Sequence, residues 1–565
     1  MLKRSIPTQL PRAAPTIANG ARVVFQPVVL DALCDGSNTV VDLLKPTLGP
    51  LSRSVLIERN AGRHFAPDIV DDGGIIARRL IELPDPNVNV GAMLLRNALW
   101  GLHERAGDSV ASAAVMFQEI VRHARPFIAA GGTVMQLRTG LLHAAETACG
   151  ALDAQASALD GDVASLRRWV SAHCIDASLS SHIASALSTY GADVAFRVEN
   201  GQSADVQAEF IAGAFWIGGW QASPLTANEG GQNLMLRLPE AHVLVSDLAL
   251  SNPGYMEPLI MALTRLKPKR LVVICASVSP QLLTLFVQAR QKAIGDVVFV
   301  KVPALSGPDR LAVLLDMALL TGATVIPSMP VSSNTATEVD LASLLPHCLG
   351  QADAIWASDQ FVGVEGGRGD RAAQIAHLRG LDDSLWREQD PARIRFIQER
   401  MNSFGAGVVR LKVGAHTDSD QKQRRALAER AVRLATQASR FGVVPGVGRA
   451  LLNCEAAVRA SSQALCGDAA HGPLCVAHAL SAPMWWIAQN AGIDPGAFIR
   501  RNRDCKPGWG VDVRRNVPVD LAANGLMDSL FALKLAVRTA ASAAATLLTT
   551  DVIVHRRQHE AALRP

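Results

Sequence analysis

Over the first 150 residues, apolar positions recur at helical spacing. Between Pro27 and Lys45, Val29, Leu30, Leu33, Val40, Val41, Leu43 and Leu44 return every three or four residues, which predicts an amphipathic helix ending at Pro46. Pro27 suits its first turn, where a missing amide proton costs nothing. Further helices are predicted over 91–105, 112–130 and 134–152, with a short strand at Ser54–Ile57 and a weaker one at Phe65–Val70. Beyond Gln155, helical stretches at Val163–His173 and Ser180–Thr189 lead to a strand-like turn over Val194–Gly201.

The period then changes. Apolar runs at Val243–Val245, Leu271–Ile274, Val297–Val300 and Thr324–Ile326 alternate with helical segments at Pro258–Leu266, Pro280–Ala293 and Pro308–Leu320. Short buried strands alternating with helices predict a sheet with helices packed on it. Gly213 and Gly407 bracket this stretch, and glycine tolerates the backbone angles a pivot needs. A long charged helix is predicted over Asp418–Ser439, and an Ala-rich helix at Leu530–Leu548 followed by a strand at Asp551–Val554. The expected fold class is therefore multi-domain α plus α/β.

Composition narrows the function classes. A chain of 565 residues exceeds what one core supports, so two or three domains are expected. Hydrophobic residues make up 49% and aromatics only 5%, which favours helical packing over a β-sandwich. A formal charge of +4 gives no case for nucleic acid as a partner. The nine cysteines are scattered without a CxxC pair, as in a reduced, cytoplasmic protein. The start, MLKRSIPTQLPRAAP, is basic and broken by proline, and reads as a tail rather than a signal peptide. No uninterrupted apolar span is expected to cross a membrane, because charges bracket the Ala-rich stretch.

The candidate chemistry lies in three loops. Ala106–Ala114, AGDSVASAA, sets Asp108 just before a helix, whose first amides lack intrahelical partners and favour an anion. Asp108 is either a ligand for Mg2+ or an N-cap. Thr47-Leu48-Gly49-Pro50 and Asp71-Asp72-Gly73 form the other two. In this order and spacing the three resemble the nucleotide site of the group I (GroEL-type) chaperonins. The resemblance runs from about Ala21 to about Arg556. It includes Gly91-Ala92, the helix around Gln136–Gly140, Val413-Gly414-Ala415, the loop Gly442–Gly448 and the closing run Arg538–Val554.

That resemblance implies a mainly helical equatorial domain built from residues 1–154 and 441–565. It implies an intermediate domain from 155–212 and 407–440, and an α/β apical domain over 213–406, hinged at Gly213 and Gly407. It implies ATP and Mg2+ as cofactors, with Asp108 on the metal. Thr47, Leu48, Gly49, Pro50, Asp71, Asp108, Ser109, Val110, Ala111, Ser112, Gly446, Val447 and Asp528 stand at nucleotide-contacting positions. Met261, Leu283, Phe286 and Val287 match a groove for unfolded polypeptide and a co-chaperonin loop, while periodicity alone reads the same helix equally well as a buried one. The resemblance further implies a ring, homo-oligomeric or co-assembled with a paralogous chaperonin.

The chain departs from the family where chemistry is done. The general-base aspartate of the long helix is Arg430, and a guanidinium cannot accept a proton at neutral pH. Asp72 is the remaining candidate to activate water. Ser109, Val110, Ala111 and Ser112 replace a glycine and threonines, Asp71 a lysine, and Val447 the middle glycine of a GGG loop. In the apical groove Pro258, Leu225 and Thr226 stand where leucine, tyrosine and phenylalanine are usual. Arg430 either takes over phosphate contacts or pairs with Asp108 or Asp72. The expected function is a chaperone subunit that binds ATP with reduced or absent hydrolysis. The alternative is a non-catalytic scaffold that has left the nucleotide cycle. Cys466, Cys475 and His478 fit no zinc spacing, Arg368-Gly369-Asp370 reads as a loop, and Gly442–Gly448 follows a helix rather than a strand, unlike a dinucleotide fingerprint.

Overall fold

The computed structural model describes residues 22–58, 68–174, 176–192, 194–217, 219–220, 236–250, 257, 261, 270–284, 296–301, 305, 307–326, 347–357, 361–388, 390–404 and 407–555. The chain enters on β1 (Arg22–Phe25) and helix α1 (Val28–Leu44), followed by the hairpin strands β2 (Val55–Ile57) and β3 (Asp68–Val70). Helices α2 (Gly73–Arg79), α3 (Pro86–Ala106), α4 (Val110–Ala129) and α5 (Val134–Asp153) come next. Helix α3 starts five residues before its expected start because Asp85 caps it, accepting from the Asn87 amide, with Pro86 in the first turn.

Helices α6 (Val163–His173) and α7 (Ala177–Tyr190) lead to strands β4 (Ala195–Asn200) and β5 (Gln207–Ala212). The strand-like turn over 194–201 is thus a full strand, and α7 begins early because Asp176 accepts from the Ser178 and Leu179 amides. The sheet region then runs through β6 (Ala214–Ile217), β7 (Gly219–Trp220), β8 (Leu236–Val245), β9 (Ala249–Leu250), β10 (Arg270–Cys275), β11 (Ser277–Val278) and β12 (Asp296–Lys301). It continues with α8 (Gly307–Thr321), β13 (Gly350–Ala357), β14 (Phe361–Gly367), α9 (Arg371–Arg387) and α10 (Pro391–Ser403).

Strand β15 (Gly407–Val413) and helix α11 (Asp418–Phe441) return the chain to β16 (Val443–Pro445) and α12 (Arg449–Ser461). The last part holds α13 (His471–Ala479), α14 (Ala482–Asn490), α15 (Pro495–Asp504), β17 (Trp509–Asp512), β18 (Val517–Asp520), β19 (Met527–Ser529), α16 (Leu530–Leu548) and β20 (Val552–His555).

Both chain ends build one helical body. Its core gathers Leu33, Leu44, Leu95, Leu99, Phe117, Ile120, Leu137 and Leu141 from the first part with Val458, Met484, Phe498 and Leu535 from the last. Strands β1 and β20 close it as an antiparallel ribbon. Contrary to the sequence reading, α16 is long and apolar enough to span a bilayer, but 72% of its most apolar window is buried. Its alanines let α3, α4 and α5 approach closely, so its hydrophobicity serves this core. Helices α1 and α3 cross through glycines: a β-carbon at Gly91 would lie 2.3 Å from the Leu33 carbonyl oxygen, and one at Gly36 1.8 Å from that of Val88.

A second core joins α6, α7 and α11 to a three-stranded sheet ordered β4-β15-β5, with Trp169, Ile183, Leu411 and Leu434 at its centre. The α/β region forms a seven-stranded sheet ordered β6-β14-β13-β8-β10-β12-β7, in which β8, β10 and β12 are parallel. Its central strands read as continuous apolar runs because both faces are covered. Val243, Val272 and Val298 pack with Leu314 and Met317 of α8, whereas Leu244, Val273 and Phe299 pack with Leu282 on the other side. The strand expected at Thr324–Ile326 is not formed. Within that run Ile326 alone bridges, to Ser246. The helices expected over 258–266 and beyond Thr284 lie largely outside the described residues.

Gly213 has φ +92°, and a β-carbon there would meet the Val364 carbonyl oxygen at 2.2 Å. Gly407 pairs with Ala212, so the two strands that link the sheet region to the rest run side by side. Asp370 of the Arg368-Gly369-Asp370 turn caps α9.

Candidate functional site

The three loops meet at the top of the helical body. Thr47 donates its hydroxyl to the Leu44 carbonyl at 2.8 Å, and Gly49 adopts φ +95°. Asn490 of α14 pins the loop by donating to the Lys45 and Leu48 carbonyls, both at 2.8 Å. Asp72 caps α2, its Oδ1 accepting from the Gly74 amide at 2.8 Å and the Ile75 amide at 3.1 Å. A β-carbon at Gly73 would lie 3.7 Å from the Ala111 nitrogen and 3.8 Å from the Thr47 hydroxyl, so residues from all three loops are neighbours. Asp108 is not the N-cap of α4. Ser109 occupies that position in left-handed geometry, φ 64°, and makes no side-chain cap. The amides of Val110, Ala111 and Ser112 form the first turn behind it.

Helix α11 lies across these loops. Its buried side carries Ala428, Ala431, Leu434, Ala435 and Ala438, a three-and-four spacing that sets this face into the second core. Arg430 points at the loops: Nη1 lies 3.4 Å from Asp72 Oδ2 and Nη2 lies 3.5 Å from Asp108 Oδ1. Burial alone would pull the Arg430 pKa down, but Asp108 and Asp72, with Asp71 behind them, push it up. The guanidinium therefore stays charged.

Farther along the helix, Arg433 donates to the His103 and Glu104 carbonyls at 3.1 and 3.2 Å, and Gln437 to that of Arg105 at 2.7 Å. These are carbonyls of the last turn of α3; that of His103 also accepts from the Gly107 amide at 2.8 Å, while those of Glu104 and Arg105 belong to the set a helix end leaves without intrahelical partners. Glu104 also pairs through its side chain with Arg395 of α10 at 2.8 Å.

The late loop completes the pocket. In the β16–β19 ladder Val444 faces Asp528, and a β-carbon at Gly446 would lie 3.1 Å from Asp528 Oδ1. Val447 holds φ 57°, a left-handed angle foreign to a β-branched residue. Burial, with Asp108 adding repulsion, pushes the Asp528 carboxyl up to about 7. His173 stacks on Trp169 with ring centroids 4.2 Å apart, and burial holds its pKa low despite Asp108. His103 Nδ1 lies 3.5 Å from Asp72 Oδ1, and burial likewise lowers its pKa.

Sequence reasoning missed His103, His173, Arg433 and Gln437. Arg433 and Gln437 had a legible signal, since they stand three and seven places after Arg430 on one helix face. The histidines had none.

The acids do not fit a divalent cation in this arrangement. A hard cation needs free carboxylate oxygens. Asp72 spends Oδ1 on two amides and turns Oδ2 to Arg430, which also faces Oδ1 of Asp108. Among the described residues no three His, Cys, Asp or Glu side chains form a metal-binding group elsewhere, the segment from Cys466 to His478 included. Of the expected polypeptide-contacting residues, Met261 is exposed and Leu283 is half-buried at the edge of a sheet-face core. Phe286, Val287, Pro258, Leu225 and Thr226 lie outside the described residues.

Comparison with known proteins adds three findings. The profile of the TCP-1/cpn60 chaperonin family matches residues 245–558. Chaperonin GroEL 1 from Rhodopirellula baltica is 29% identical over 540 residues, covering 94% of this chain and 91% of that protein. The chaperonin gp146 from the bacteriophage EL 2 (Pseudomonas aeruginosa), solved in the presence of ATP-BeFx, superposes with a TM-score of 0.68 at 16% identity. That alignment covers 95% of this chain and 99% of gp146, a likeness of fold.

Proposed function

This chain belongs to the TCP-1/cpn60 chaperonin family, and from that premise we propose that it is a chaperone subunit with the nucleotide cycle reduced or lost. The helical body corresponds to an equatorial domain (1–154 and 441–565), the three-stranded unit to an intermediate domain (155–212 and 407–440) and the seven-stranded unit to an apical domain (213–406). Non-native polypeptide binds the apical domain at Met261 and Leu283, because apolar contact is non-directional and asks for no particular client sequence. ATP and Mg2+, usual in the family, are the ligands to test at Asp72, Asp108 and Asp528.

The observation that carries the reading is the guanidinium of Arg430 facing Asp72 and Asp108. A permanent cation at that place cannot take a proton from water, and loss of general-base help costs roughly 10²–10⁴-fold in rate. Asp72 offers little replacement, since both its oxygens are engaged. That engagement also supports the second reading, a scaffold that binds no nucleotide.

Titration of the purified chain with ATP and Mg2+, together with phosphate release, separates the two. Binding without turnover supports a slow or regulated holdase, and no binding supports the scaffold. Arg430→Asp is expected to raise phosphate release, and an unchanged rate would assign the loss to the other altered contacts.

Ring assembly is supported by exposed apolar pairs on two two-stranded sheets of the described residues. Val23 faces Val554 and Phe25 faces Val552 on the β1–β20 ribbon, and all four are exposed on one side. Leu56 and Ile69 form a matching exposed pair on the β2–β3 hairpin. Among the described residues each of these sheets has only two strands, and such edges with apolar faces invite a second copy to add its strands. A cytoplasmic location agrees with nine free cysteines, of which Cys275, Cys454 and Cys475 are buried thiols pushed up to about 12.

A further inference from the structure

We propose that Arg430 is a tethered cation standing where a divalent metal would otherwise bind, so that α11 is held closed on the helical body by the chain itself. Closure is then independent of metal and nucleotide. This deepens the reading of the Asp72–Asp108 pocket as the nucleotide site and rests on it.

The geometry has three parts. One guanidinium spans two carboxylates from separate loops, at 3.4 and 3.5 Å, and these loops belong to the helical body while Arg430 belongs to α11. The contact therefore ties one unit to another, as a bridging ion would. With Asp72 Oδ1 committed to the α2 amides, a metal could enter only after Arg430 withdrew.

The same face of α11 continues the grip. The His103 carbonyl is capped by the Gly107 amide and shared with Arg433, while the Glu104 and Arg105 carbonyls are taken by Arg433 and Gln437, so side chains of α11 complete the end of α3. A third unit joins at the same residues. Arg395 of α10 pairs with Glu104, and Arg105 donates to the Leu385 carbonyl of α9 at 3.3 Å. Withdrawal of α11 would strip the end of α3 of these hydrogen bonds as well as leaving Asp72 and Asp108 facing each other without a counter-charge. Those penalties favour the closed arrangement with no ligand present.

The test is a distance measurement by pulsed electron paramagnetic resonance on the full chain. Nitroxides are placed at R425C on α11 and R122C on α4, in a background where the exposed Cys466 is serine. In the Arg430-containing protein the distance is expected to be the same in EDTA, in Mg2+ and in Mg2+ with ATP. In Arg430→Gln it is expected to lengthen by several ångström in EDTA.

An unchanged distance in Arg430→Gln would overturn the proposal by showing that Arg433 and Gln437 suffice. A shift caused by Mg2+ alone in the Arg430-containing protein would overturn it by showing that metal enters the seat. This second measurement decides the matter even if Arg430→Gln fails to fold. The EDTA comparison uses no nucleotide, so it stands or falls separately from the ATP titration.

Discussion

Ser109 and Val447 hold left-handed backbone angles, φ 64° and 57°, that glycine adopts freely and a residue with a β-carbon adopts at a cost of about 1–3 kcal/mol. Both stand where the resemblance expects glycine. The backbone of each loop has thus kept a glycine shape around another side chain, fixed by the helix α4 or the β16–β19 ladder beside it. Ser109→Gly is expected to stabilise the chain by about 0.5–1 kcal/mol, read by chemical denaturation. Asp528 gives a pH signature. Its carboxyl titrates at about 7 in the fold against an ordinary 3.8, so the folded state holds the proton more tightly. Stability then falls as pH rises between those two values, by up to about 1.4 kcal/mol per unit, and the loss is complete above about 7. Asp528→Asn is expected to match the parent protein at acidic pH and to exceed its melting temperature at pH values above that range. A constant difference across pH would refute the assignment. At this scale the identity of Arg430 was legible in the sequence, but His103 and His173 were not, because nothing in their neighbours distinguishes them until burial does.

Among the elements, periodicity carried most of the information. The small apolar face of α11, the helices of the first 150 residues and the doubly covered strands β8, β10 and β12 each repeat a pattern that packing then satisfies. Misses fell at boundaries, where caps decide. Asp85 and Asp176 lengthen α3 and α7 toward their starts, and among the described residues only Ile326 of the Thr324–Ile326 run bridges to the sheet. The α1–α3 crossing gives a test of packing. Gly91→Ala would drive a methyl into the Leu33 backbone, and a loss of about 1–3 kcal/mol is expected in thermal or chemical unfolding. An unchanged stability would mean that the two helices separate more easily than their close approach indicates.

For the whole molecule, the exposed pairs on the β1–β20 ribbon and the β2–β3 hairpin make assembly measurable. Under the proposed ring assembly, Phe25→Asp combined with Leu56→Asp is expected to leave single subunits in light scattering, with the melting temperature of the isolated subunit little altered, because both side chains are exposed. A particle of unchanged mass would place the contact between copies elsewhere. By itself the sequence determined the family, the order of helical and α/β regions, the three loops and the guanidinium at position 430, since these follow from local pattern and from residue type. Only the tertiary structure decided that Arg430 meets both Asp72 and Asp108 and that Arg433 and Gln437 finish the end of α3. Those contacts join residues more than 300 positions apart, and their geometry is fixed by how the helix cores pack rather than by any spacing along the chain.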